Sequence, residues 1–110
     1  MIEVRIQALP GGRISGVEVT GHSGRSRKGS DILCAAVSVL AENLAASLKV
    51  ILNLNPEIES GDGLLSVSLD PNELSSQTDL LFASLILGMK ALEASYPENI
   101  RLETGNSSGK

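Results

Sequence analysis

The chain has 110 residues, a formal net charge of −4, and a hydrophobic fraction of 42% with only 2% aromatic residues. This length fits one domain with one core, which has to be built from Leu, Ile, Val and Ala side chains. The acidic balance argues against direct nucleic-acid binding, because binding driven by phosphate contacts needs a large basic surface.

The cysteine and histidine content excludes two further kinds of protein, those held by disulfides and those built around a zinc site. The sequence holds one Cys, Cys34, and one His, His22, so we expect neither an internal disulfide nor a zinc site with the usual ligand count. Neither common Gly-rich phosphate loop occurs, and we expect no cofactor. No secretory signal opens the sequence, and no stretch reaches the ~18 apolar residues of a membrane span. We therefore expect a cytoplasmic protein that makes no membrane contact.

The first twenty residues predict a pair of strands. Apolar and polar residues alternate over residues 2–6, which is typical of a half-buried strand, and residues 9–12 carry the Pro and Gly of a turn. Residues 14–19 predict the return strand. The alternation shifts by one position at Gly16, which indicates a β-bulge unless the strand simply starts at Val17.

A Gly-flanked loop is predicted over residues 21–29, followed by a helix from Asp31 to Leu52. Cys34 and Ser38 fall on a second stripe, along one edge of the helix's core face. The core face itself is predicted from apolar residues at i+3 and i+4 spacing, namely Leu33, Val37, Leu40, Leu44, Leu48 and Ile51.

The start of this helix is the chemically distinctive part of the chain. With Ser30 or Asp31 as N-cap, Cys34 falls in or just after the first turn, where the positive end of the helix dipole favours a thiolate. A thiol and an imidazole, that of His22, are the minimum for nucleophilic catalysis. From the residues alone, a buried structural Cys with an incidental His remains an open alternative. Positive charge, either functional or merely solvated, precedes the helix at Arg25, Arg27 and Lys28.

The second half of the chain predicts another hairpin, a helix and a last strand. Residues 58–59 begin a strand, Gly61-Asp62-Gly63 indicates the turn, and residues 65–69 return. A helix then starts at about Glu73 or Ser76 and ends at Ser95. The last short strand is predicted at Ile100 and Leu102.

The second helix is apolar on more than one side. Its main stripe is predicted as Leu81, Leu85, Gly88, Met89 and Leu92. Apolar residues outside that stripe are Leu80, Phe82, Ile86 and Leu87. Because a two-layer domain can cover only one side of a helix, this excess predicts a homodimer whose contact includes roughly residues 80–89.

The element order is strand–strand–helix–strand–strand–helix–strand, without internal repeats or linkers. We expect a single domain over residues 1–104 and a disordered polar tail over residues 105–110. The economical way to bury two apolar helix stripes is against one sheet face. The predicted fold is therefore α+β, a two-layer sandwich with two long helices on a mostly antiparallel sheet of four to five strands.

One segment resembles a known signature. Gly21-His22, then Gly29, then Asp31-Ile32-Leu33-Cys34-Ala35-Ala36-Val37-Ser38 resemble the motif of the bacterial ribosomal-processing cysteine protease family, Prp. The similarity of pattern extends over nearly the whole chain. The resemblance implies that His22 and Cys34 are a catalytic pair. It also implies a substrate, the short N-terminal extension of bacterial large-subunit ribosomal protein twenty-seven. The present loop from Ser23 to Lys28 is more basic than the family pattern.

This resemblance implies a mechanism for the pair. Cys34 attacks the peptide carbonyl, while His22 acts first as general base and then as acid toward the leaving amine. We expect first-turn backbone N–H groups near Cys34 to bind the oxyanion. Asp31 either orients His22 or caps the helix, and capping is favoured. Ser38 bonds either the thiolate or a backbone carbonyl, the second being the commoner use of a helical Ser.

The loop and the alternative function complete these expectations. Gly21, Ser23, Gly24 and Gly29 belong to a flexible loop that is expected to close over a peptide substrate. The competing hypothesis is a non-catalytic ribosome-associated or ribosome-assembly module, in which Cys34 belongs to the core and His22 has no role.

Overall fold

A computed structural model describes residues 1–21 and 28–106, with side chains placed for residues 1–21 and 32–105. In these residues two α-helices, α1 (Lys28–Ala46) and α2 (Ser76–Ser95), pack on one sheet of five strands. The strands are β1 (Ile2–Ala8), β2 (Ile14–Thr20), β3 (Glu57–Gly61), β4 (Leu64–Ser68) and β5 (Ile100–Asn106). The predicted α+β two-layer fold and its element order are confirmed.

The strands are arranged in the order β3-β4-β2-β1-β5. Neighbouring strands are antiparallel except β1 and β5, which run parallel. The period-2 alternation of β1 buries its apolar residues beneath the helices, as the sequence predicts. The sheet's contribution to the core is Ile2, Val4, Ile6, Val17, Val19, Val67 and Ile100.

The bulge predicted at Gly16 is present. Gln7 pairs with Gly16 and Ala8 pairs with Ile14, so Ser15 is the extra residue of β2. A side chain at position 16 has no room, because a Cβ there would lie 2.9 Å from the carbonyl oxygen of Val67. The glycine therefore permits the close approach of β2 to β4 at the bulge.

Helix α1 begins earlier than predicted. Its first described residue is Lys28 rather than Asp31, so Gly29, Ser30 and Asp31 lie inside the helix and cannot be its N-cap. The prediction took Gly29 as part of a loop, but one Gly in a helix costs only about 1 kcal/mol and tertiary packing tolerates it. A five-residue π-helix, Ser47–Ile51, continues α1 to one residue before the predicted end at Leu52.

Helix α2 buries Leu85 and Met89 of the predicted stripe, and it adds two residues that the prediction left outside that stripe, Thr78 and Phe82. Phe82, predicted to lie outside the main stripe, has no exposed surface, whereas Leu80 and Leu87 are each 72% exposed. At Gly88, a Cβ would come within 3.1 Å of Leu40, so α1 and α2 approach closely there.

Two further features differ from expectation. Strand β5 continues through Asn106, paired with Ala8 of β1, so it passes the expected domain boundary at residue 104; residues 107–110 lie outside the described part of the chain. In addition, the 20 residues Ile32–Ile51 have a mean hydropathy of 1.5, and by length and composition alone this stretch passes the test for a membrane-spanning helix. In the structure the stretch places Leu33, Leu44 and Leu48 in the protein core.

Candidate active site

A cleft of about 230 Å³ opens between α1 and the end of the sheet where β2 finishes and the β3–β4 hairpin turns. Helix α1 forms one wall with Cys34, Val37 and Ser38. The opposite wall and the floor come from strand residues and the hairpin tip, namely Ile2, Val19, Gly21, Gly61, Asp62, Gly63, Leu64 and Leu65. The cleft therefore combines an apolar floor with a thiol, a hydroxyl and a carboxylate on its walls.

Cys34 and Ser38 reach this cleft because of helical spacing. Leu33 and Val37 point into the core, and the residues after them, Cys34 and Ser38, are turned about 100° around the axis toward its edge. Both are partly exposed, and Cys34 also packs against the hydrophobic core. The prediction that the two share one edge of the core face is confirmed, and a thiol in this position is both supported by packing and accessible from the cleft.

Gly21 directly follows β2 and lines the cleft. Its N–H donates a 3.0 Å hydrogen bond to the carbonyl of Gly63 in the hairpin turn. Its φ is +77°, a conformation that L-residues rarely adopt, and a Cβ at this position would clash with the carbonyl oxygen of Met1. Gly21 is thus held between the N-terminus and the hairpin by a backbone arrangement that needs glycine.

Several predicted site residues belong to the loop and to the first turn of α1. His22, Ser23 and Gly24 lie outside the described residues, as do Arg25 and Arg27; for Lys28, Gly29, Ser30 and Asp31 only the helical backbone is described. The structure therefore brings together Cys34, Ser38 and Gly21. His22 follows Gly21 directly in the sequence.

The helix dipole acts on Cys34 less than the sequence suggested. Cys34 lies six positions beyond Lys28, or about 9 Å along the axis, and so near the end of the second turn. The backbone N–H groups without an intrahelical acceptor belong to the first four residues of a helix, and the dipole effect fades beyond the first turn. The N–H groups beside Cys34 therefore lie inside the described helix, and the expectation that first-turn N–H groups bind the oxyanion stays a prediction.

The hairpin side of the cleft was not predicted as part of the site. The sequence identifies Gly61-Asp62-Gly63 as a turn, and the structure confirms a tight connection in which Gly61 pairs with Leu64. No local sequence pattern indicates that β4 pairs with β2, and this pairing is what brings the turn beside Gly21 and Cys34. In residues 1–21 and 32–105, no three His, Cys, Asp or Glu side chains converge to hold a metal ion.

Comparison with known proteins gives a consistent result over the length of the chain. The family model described as cysteine protease Prp matches residues 1–101. The ribosomal processing cysteine protease Prp of Bacillus subtilis is 28% identical over 110 residues, covering 94% of this chain and 97% of the relative. The protein of the same name from Staphylococcus aureus is 30% identical over 108 residues, covering 93% and 97%.

A solved structure supports the same relationship. The crystal structure of the essential ribosomal processing protease Prp from S. aureus with a substrate peptide superposes with a TM-score of 0.84. Sequence identity to it is 26%, and the match covers 96% of this chain and 100% of that one. This chain thus shares its fold, over nearly its whole length, with a protein whose structure contains a substrate peptide.

Proposed function

The chain belongs to the cysteine protease Prp family, and from that premise we propose that it removes the N-terminal extension of a bacterial large-subunit ribosomal protein. The observation that carries this proposal is the position of Cys34, the sole thiol in the sequence, on the wall of a cleft whose floor is apolar. The relatives named for ribosomal processing match nearly the whole chain. Their substrate class favours a cytoplasmic location for this protein as well.

We propose that His22 is the general base. Support comes from the backbone connection, because His22 is bonded to Gly21, which lines the same cleft as Cys34. His22 takes the proton of the Cys34 thiol as the sulfur attacks the peptide carbonyl. His22 then passes the proton to the leaving amine, and water releases the acyl-enzyme.

Ser38 is proposed as a supporting residue. One turn beyond Cys34, it places a hydroxyl on the same wall of the cleft, where it can donate a hydrogen bond to the thiolate or to the developing oxyanion. Asp31 is proposed as the second supporting residue, with its carboxylate orienting the His22 imidazole.

Incubation with the candidate substrate tests this function. The purified chain is mixed with the ribosomal protein carrying its extension, and the products are identified by mass spectrometry. We expect one new N-terminus with the wild-type chain and none with Cys34→Ala. Intact substrate after prolonged incubation with the folded wild-type chain would instead favour the non-catalytic assembly module.

We further propose that the protein acts as a homodimer. The outer side of the helix layer carries exposed apolar residues on both helices, including Val39 at 61% and Leu80 and Leu87 at 72% each. The two helices also form an apolar groove, which is lined by Ala35, Ala36, Val39, Leu40, Gly88 and Leu92. A two-fold contact through this surface would cover it with an identical one.

A further inference from the structure

The two edge strands of the sheet differ in how their outer backbone groups are protected. At β5, the backbone N–H of Leu102 donates a 2.9 Å hydrogen bond to the Glu93 carboxylate of α2, so a side chain occupies part of that edge. At the other end of the sheet, β3 (Glu57–Gly61) pairs with β4 alone among the described strands, and all its residues are exposed. We call the outer side of this strand the β3 edge.

The β3 edge ends at the cleft that holds Cys34. Gly61, the last residue of β3, lines that cleft, and the hairpin turn that follows forms its wall. A strand added outside β3 would lie about 4.8 Å from it. Such a strand would pair with Glu57–Gly61, and its end beside Gly61 would reach the cleft. An extended peptide on this edge would therefore be held next to the thiol by main-chain hydrogen bonds.

Charge favours one class of occupant. Because Ile58 pairs with the buried Val67, Ile58 faces the helix side, and Glu57 and Glu59 lie on the opposite, solvent face of the sheet. Opposite charges across neighbouring strands stabilise pairing, whereas like charges oppose it. The edge thus disfavours a second copy of β3, which would place acidic residues near acidic residues, and it favours a peptide with Lys or Arg side chains.

We propose that the β3 edge binds an extended segment of the substrate as a sixth strand, with Glu57 and Glu59 selecting basic side chains. This rests on the proposed protease function and specifies how the substrate is recognised. Main-chain hydrogen bonds provide affinity that depends little on the sequence of the peptide, and the two carboxylates provide the preference for Lys and Arg side chains.

The pairing is tested on the substrate, which leaves the enzyme fold untouched. A series of peptides spanning the cleavage junction carries one backbone N-methyl group each, at successive positions, and KM and kcat are measured for each. Each lost hydrogen bond should raise KM by about threefold to tenfold. Because only alternate residues of an added strand face β3, the rise is expected at every second position. A uniform response, or none, along the segment overturns the proposal.

The charge preference is tested on the enzyme. The double substitution Glu57→Gln and Glu59→Gln should raise KM for a basic peptide by about twofold to tenfold, with kcat nearly unchanged. The control, Glu3→Gln with Glu103→Gln, removes the same charge from the same face on β1 and β5, at carboxylates that pair with Arg101 and Arg5, and should leave KM unchanged. If both pairs of substitutions raise KM equally, the preference for basic peptides comes from the net charge of the protein, and the role assigned to the β3 edge is wrong.

The two proposals fail in different ways. If the wild-type chain does not cleave the unmethylated peptide, the proposed function is wrong, and the β3 edge proposal falls with it. If the chain cleaves every methylated peptide with the same KM, the protease function stands and the β3 edge proposal alone is wrong.

Discussion

Cys34 is held by two kinds of contact that serve different purposes. Its neighbours Leu33 and Val37 are almost fully buried and fix the helix against the sheet, while the sulfur side faces the cleft. Alignment of a nucleophile depends on such rigid support, because small displacements weaken catalysis strongly. The sequence pattern alone located this residue, since the i+4 spacing of Cys34 and Ser38 beside an apolar stripe is readable without coordinates.

The first prediction concerns the nucleophile. Cys34→Ala should abolish cleavage while leaving the fold intact, because Ala is the best helix former and only a partly exposed sulfur is removed. Turnover is followed by mass spectrometry and the fold by circular dichroism. Wild-type turnover in the variant would exclude the protease mechanism, and loss of the helical signal would show that Cys34 is structural.

The second prediction concerns the base. His22→Ala should lower turnover by about two to four orders of magnitude, the usual contribution of a general base. No other histidine exists in the sequence to replace it. The rate is measured with a saturating peptide substrate, alongside the unfolding temperature as a control for stability. A decrease smaller than tenfold would remove His22 from the mechanism.

The third prediction uses the close approach at the bulge. Gly16→Ala should lower the free energy of unfolding by about 1–3 kcal/mol, because the added methyl meets the Val67 carbonyl and the Ser68 side chain, each at 2.9 Å. Gly61→Ala is the control for stability, since nothing lies within 4 Å of a Cβ at that position. Urea unfolding midpoints measure both variants. Equal midpoints would mean that the strands separate readily at the bulge.

At the scale of elements, strands were more predictable than helix ends and helix faces. Strict alternation in β1 and the phase shift at Gly16 are local signals, and both match the structure. The start of α1 was missed because Gly29 resembles a loop residue but lies in the helix. The parallel pairing of β5 with β1 depends on tertiary contacts that no local pattern records.

Helix α2 shows why an apolar helix defeats pattern analysis. Apolar residues surround it, so several stripes fit the helical period equally well, and the choice between Leu81 and Phe82 as core residue depends on the sheet beneath. The structure buries Phe82 completely and leaves Leu80 72% exposed. The predicted role of Phe82 in a subunit contact is therefore wrong, although the helix retains an exposed apolar side.

The fourth prediction tests this orientation of α2. Phe82→Ala should lower the free energy of unfolding by about 3–5 kcal/mol, because it empties a fully buried site. Leu80→Ala, on the exposed side of the same helix, should change it by no more than about 0.5 kcal/mol if measured on the monomer. Urea denaturation at low protein concentration separates the two. A larger effect at Leu80 would mean that α2 is rotated in solution.

At the scale of the whole molecule, one surface holds the cleft with Cys34 and another carries exposed apolar groups. The cleft with Cys34 opens on the side of α1 that faces the β3–β4 hairpin. The apolar groove lies between α1 and α2, with Gly88 and Leu92 on its far side. The two share α1 but use different sides of it, so a partner on the groove leaves the cleft accessible to a peptide.

The fifth prediction concerns assembly through that groove. We expect a homodimer, with sedimentation at micromolar concentration giving twice the 11.5 kDa mass of the chain. Fully burying an exposed Leu is worth roughly 1.5–3 kcal/mol, so a few such residues at a two-fold contact are enough for a dimer of ordinary affinity. Val39→Glu with Leu87→Glu should dissociate it, because Val39 lines the groove, Leu87 adjoins the groove residue Gly88 in sequence, and the contact would then bury unpaired charge. Val50→Glu, at a residue 78% exposed and outside the groove, is the control and should leave the dimer intact.

A clean single-chain mass for the wild type would refute the dimer, and a dimer that survives the double substitution would lie on a different surface. Because the cleft and the groove lie on different sides of α1, a dissociated variant that keeps its turnover would show that each protomer cleaves its substrate independently.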